Sequence, residues 1–126
     1  MNDAMVFSFN LDGERHAMLQ SICDSLGIIL KPVPRKAFGL PLGALLGMPA
    51  ARLAGAAEDS GFDDPMLLLC GLEEPTFSAF LQALRRSGLP RIDLKAVLTP
   101  TNVAWTAVQL RNELLREHEQ MRRASR

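Results

Sequence analysis

Tyrosine is absent from this 126-residue chain, tryptophan occurs once, and neither sign of charge predominates, with 14 basic and 14 acidic residues. The balance of charge excludes a global field that would steer the chain toward nucleic acid or anionic lipid. The shortage of rings removes most of what a nucleic-acid-binding sheet uses to stack bases. Phe7 and Phe9 could serve on a first strand, but the third strand has no aromatic residue. The basic clusters Arg85-Arg86-Arg91 and Arg122-Arg123-Arg126 are modest, so nucleic acid is not the expected partner.

Cysteine is also scarce. Cys23 and Cys70 fall in stretches that read as regular elements, not in a spaced disulfide framework, which suits a reducing cytoplasm. Neither has an adjacent His or basic residue to lower its pKa, so both read as structural. His16 and Cys23 are seven residues apart, about 10 Å along a helix, too far to chelate one ion. No metal and no cofactor is expected. A Walker loop, a G-x-S-x-G elbow, an H-E-x-x-H pair and a C-x-x-C pair are all missing, so no catalytic residue is assigned.

Long unbroken hydrophobic runs are missing as well. Between Ala37 and Ala57 only Arg52 is charged, but Pro41, Pro49 and several glycines break the stretch, so no membrane span is expected. Asp3 and the lack of a basic residue before the first short apolar run give no expectation of a signal peptide. The predicted location is cytoplasmic.

What is present is an apolar content of 48%, enough for a packed core. Ala4 to Phe9 is rich in strand formers, and Asp12-Gly13 marks a turn. Leu19, Ile22, Cys23 and Leu26 recur at helical spacing, and Gly27 stops that helix. Ile28 to Pro34 is extended, with two prolines that assign it to a sheet edge. The connection from 35 to 63 is too long for a bare loop, and Pro41 can open a short helix that Gly47 and Pro49 end. Glu58-Asp59-Ser60-Gly61 reads as solvated loop.

The second half repeats the first. Met66 to Cys70 is apolar without alternation, as in a strand buried on both faces. Pro75 opens a helix carrying Phe77, Phe80, Leu81 and Leu84, and Gly88 closes it. Leu94 to Thr99 alternates as a strand with one wetter face, and Thr101 or Asn102 can cap a final helix from Val103 to about Arg123.

These elements predict an α+β fold: a ferredoxin-like βαβ-(insertion)-βαβ antiparallel sheet of order 4-1-3-2, with a long C-terminal helix. Read as one domain, 1–34 form the first βαβ unit, 35–64 a glycine-rich insertion, 65–99 the second βαβ unit and 100–126 the terminal helix. Right-handed crossovers place both internal helices on one face, leaving the insertion or the last helix to cover the other.

The string Leu94-Lys95-Ala96-Val97-Leu98-Thr99-Pro100-Thr101-Asn102, followed by Trp105-Thr106 and then Leu110, Glu113, Leu114, Glu117 and His118, resembles a bacterial family known as domain of unknown function 3783. Gly88-Leu89-Pro90-Arg91 is similar to it too, and the likeness runs from about Pro65 to Met121, with Gly39 to Gly47 similar to the family's glycine-rich middle. The resemblance implies a small bacterial cytoplasmic protein of unassigned role. It carries over no functional residue.

The best local candidate for a ligand site is the start of the last helix. Free N–H groups and a partial positive charge there attract an anion. Lys95, Thr99, Thr101 and Asn102 would add donors and Trp105 a wall. The plainer alternative is that Pro100 shapes the turn, Asn102 caps and Trp105 packs on the sheet. Leu114, His118 and Met121 share a helix stripe that suits a homo-oligomer or protein partner. The functional expectation is a non-catalytic interaction or small-ligand-sensing module. Its alternatives are a small enzyme or enzyme subunit with an anion site at the last helix, and an RNA-binding sheet.

Overall fold

The computed structural model describes residues 4–46 and 61–124. They group into two compact units, one built from residues 4–33 and 65–97, the other from 34–46, 61–64 and 98–124. Gly47, Pro49, Arg52 and the Glu58–Ser60 run lie outside the described residues. No helix among the described residues is long and apolar enough to cross a membrane.

The first unit contains β1 (Met5–Phe9), α1 (Gly13–Leu26), β2 (Ile29–Pro32), β3 (Met66–Cys70), α3 (Glu74–Arg86) and β4 (Leu94–Val97); the second contains α2 (Leu42–Leu45) and α4 (Ala107–Ala124). Residues of opposite parity on each strand face opposite sides of the sheet. Val6, Leu30, Leu67 and Leu69 thus share one face and form a core with Leu19 and Cys23 of α1 and Phe80 of α3. Ile22, Leu26, Phe77, Leu81 and Leu84 pack partly buried around that core, so both helices lie on one face as right-handed crossovers require. Burying each large side chain stabilises the unit by about 1.5–3 kcal/mol.

The sheet order is 2-1-3-4, not 4-1-3-2, and the sheet is mixed, not antiparallel. β1 pairs parallel with β2 and β3 pairs parallel with β4, while the central β1–β3 pair is antiparallel. The apolar strands are central and the proline and lysine strands are at the edges in both arrangements. Only the two edge strands have changed places. Strand composition therefore cannot separate the two orders.

β2 is paired on one side only, and its proline fits for a definite reason. Ile29 and Val33 donate their N–H groups inward to Ala4 and Ser8, at 2.9 and 2.8 Å. The alternation places the Pro32 nitrogen on the outer side, so its missing N–H costs the β1–β2 ladder nothing.

In the second unit, a three-ten turn (Arg35–Ala37) precedes Phe38, whose ring stacks on Phe62 with centroids 4.7 Å apart. The Arg111 guanidinium of α4 lies 5.8 Å from the Phe62 centroid and donates to Asp64 from Nε and Nη2 at 2.9 and 2.8 Å. Arg35 pairs with Asp63 at 2.8 Å and donates to the Phe62 carbonyl at 3.2 Å. A Cβ on Gly61 would meet Arg35 Nε at 2.7 Å, so a larger residue there would displace the flexible end of that arginine.

Candidate ligand-binding site

The final helix does not begin at Val103. Asn102–Ala104 form a three-ten turn, Trp105 is extended at φ −78° and ψ 151°, and α4 starts at Ala107. Two reciprocal caps explain this. Thr99 N–H donates to Asn102 Oδ1 at 2.8 Å, and Asn102 N–H donates to Thr99 Oγ1 at 3.0 Å. The pattern then repeats: Thr106 N–H donates to Gln109 Oε1 at 2.8 Å, and Gln109 N–H donates to Thr106 Oγ1 at 3.2 Å. Each pair is a capping box, with a threonine answered three residues later by an amide. Thr99 thus caps the short turn with Asn102 answering it, and the buried Thr106 caps α4, so neither Thr101 nor Asn102 caps the final helix.

These contacts change the chemistry expected of the segment. The N–H groups of Thr99 and Asn102 already have side-chain acceptors, and Trp105 N–H donates to the Asn102 carbonyl at 2.9 Å. Trp105 is half-buried and its carbonyl accepts from Leu42 N–H at 2.7 Å, beside a bridge between Pro41 and Thr106. Thr101 is exposed. Leu114 and His118 of α4 are half-buried and Met121 is 70% exposed.

Lys95 belongs to the first unit, and there the structure gives it a different set of companions. It pairs with Leu67 in the β3–β4 register, which places it on the helix-bearing face at the β4 edge. A cavity of about 480 Å³ opens beside it, lined by Leu81, Leu84, Arg85, Leu89, Pro90, Arg91, Ile92 and Lys95. The two crossover repeats differ here. The link after α1 has two residues (27–28), whereas the link after α3 has seven (87–93), and the longer link walls the cavity.

Local chemistry shapes that link. Ser87 Oγ donates to the Leu84 carbonyl at 2.9 Å and accepts from Leu89 N–H at 3.0 Å. Gly88 takes φ +81°, a conformation that side-chain-bearing residues resist. The turn sends Leu89 and Ile92 inward, 8% and 6% exposed, while Arg91 stays outside and pairs with Asp93 at 2.7 Å. Lys95 Nζ donates to the Ile92 carbonyl. Burial holds the Lys95 amine below its ordinary pKa, the Arg91 charge adds to this, Asp93 opposes it, and Arg85 contributes further depression. Lys95 is thus half-buried at the recess, with the exposed Arg85 and Arg91 along its border and Asp93 paired with Arg91.

Sequence reasoning selected Lys95 but not Arg85, Arg91 or the apolar floor. The available signal was an apolar link, Leu89-Pro90 and Ile92, bracketed by Arg85, Arg91 and Lys95. Elsewhere, Ser8 Oγ and His16 Nδ1 are buried without a hydrogen-bond partner among the described residues. Phe7 and Phe9, the rings available for stacking, are 2% and 0% exposed.

The structure thus defines an α+β protein whose paired crossover units support a cation-rimmed cavity. Residues 65–121 match the family model described as domain of unknown function 3783, a segment running from just before β3 into the last turns of α4 and containing every residue that lines the cavity. No curated protein matches the chain, and no solved structure does.

Proposed function

We propose that the protein is a non-catalytic cytoplasmic module that senses a small organic anion in the cavity between α3 and β4. The observation that carries this reading is the combination of an apolar floor with Arg85, Arg91 and Lys95 at one recess. Apolar walls with a few convergent polar groups are the usual composition of a small-molecule site, and 480 Å³ is within the usual range. Two buried thiols suit a reducing compartment. An RNA-binding reading has less to support it, since the two strand phenylalanines are buried.

The test is a titration of the full chain with a panel of organic carboxylates, phosphate esters and sulfonates, followed by amide NMR. The expected result is that at least one class shifts the resonances of residues 81–95, and that Lys95→Met weakens it tenfold or more. A panel that leaves those resonances unmoved rejects the reading.

A further inference from the structure

The recess that carries the proposed sensing function also restricts what its ligand can be. Its lining contains no aromatic ring, so a nucleobase finds nothing on which to stack. It offers no hydroxyl or amide side chain, so a sugar finds no fixed partners for its hydroxyl groups. What remains is an apolar lining bordered by three basic side chains. Leu81, Leu84, Leu89, Pro90 and Ile92 make the walls, and Leu89 and Ile92 are the most buried of these.

The charges are unequal in availability. Arg91 is paired with Asp93 at 2.7 Å. Arg85, in the last turn of α3, and Lys95, on β4, have no carboxylate within ion-pair distance among the described residues. Lys95 lines the recess and uses one of its three ammonium donors on the Ile92 carbonyl, which leaves donors for an incoming oxygen. A dianionic phosphate would have to lose much more hydration than a carboxylate to sit against these walls.

We infer that the cavity takes an aliphatic monocarboxylate, its carboxylate held by Lys95 and Arg85 and its chain laid along Leu81, Leu84, Leu89 and Ile92. This inference rests on the sensing reading and narrows it to one ligand class. Each methylene that leaves water tightens binding roughly fourfold, so length dependence is the signature of the tail and charge dependence that of the head.

The experiment titrates the full chain with hexanoate, octanoate and decanoate below their micellar concentrations, and with 1-octanol, inorganic phosphate and glycerol phosphate. The readouts are the methyl resonances of Leu81, Leu84, Leu89 and Ile92. Octanoate is expected to bind roughly tenfold or more tightly than hexanoate, and at least tenfold more tightly than 1-octanol. In Lys95→Met the preference for octanoate over 1-octanol is expected to shrink severalfold while 1-octanol still binds, which shows that the recess remains folded. A carboxylate series flat in chain length, or tighter binding of glycerol phosphate than of octanoate, overturns the ligand class and leaves the anion-sensing reading standing. If no probe moves these methyls while a wider anion panel does, the class alone fails; if neither does, both readings fall.

Discussion

Cys23 sits in α1 fully buried and Cys70 ends β3 at 7% exposure, and desolvation pushes each thiol up to about 11, with the Asp24 charge adding to the effect at Cys23. A raised folded-state pKa means that the folded protein prefers the protonated thiol. The stability this contributes is complete below the ordinary value of 9.0 and is lost as pH rises toward about 11. In oxygen-free buffer the unfolding midpoint is expected to fall between those two pH values, and replacing both cysteines by alanine should flatten the decline. A slope unchanged by the double replacement would assign it to other groups. Neither thiol is suited to nucleophilic work near neutrality, which agrees with their reading as packing residues.

At the scale of elements, the tandem caps before α4 decide where the helix begins. Thr106 is fully buried, and its hydroxyl satisfies the Gln109 N–H at 3.2 Å. Thr106→Val keeps the volume and removes the acceptor, so it should cost about 1 kcal/mol in denaturant unfolding. A variant as stable as the parent would contradict the cap. The error in placing the helix start has a specific cause. Thr99, Asn102 and Thr106 are all acceptable capping types, Thr99 and Thr106 each have an amide three residues on, and helical propensity across Val103–Ala104 does not separate them. The reciprocal bonds and the extended Trp105 show that the sequence contains two starts, not one.

Other elements were more legible. β3 spans Met66–Cys70, as its uninterrupted apolar run predicts, and α1 and α3 bury the faces given by their spacing. Strand order was not legible, because exchanging two edge strands leaves each strand's apolarity and edge status unchanged. The cavity was half legible: Lys95 stood out by type, but its recess depends on the turn at Ser87 and Gly88, a matter of backbone path.

Over the whole molecule, net charge is zero, with 14 residues of each sign, so long-range repulsion between copies is weak. The α4 stripe ends in Met121, 70% exposed on a helix that is otherwise rich in charge. Self-association through this stripe is the expected whole-molecule behaviour. Light scattering should give an average mass that rises above 13.8 kDa with concentration, and Met121→Gln should return it toward the monomer. A parent that stays at 13.8 kDa at every concentration would exclude the stripe as a self-contact.

The outward-facing nitrogen of Pro32 has a consequence for such assemblies. A stray chain that tried to register alongside Ile29–Pro32 would meet a border lacking a donor where a continuing ladder needs one. Filament growth by strand recruitment is thereby discouraged on one flank, and any templating of that kind would have to start from the Leu94–Val97 margin.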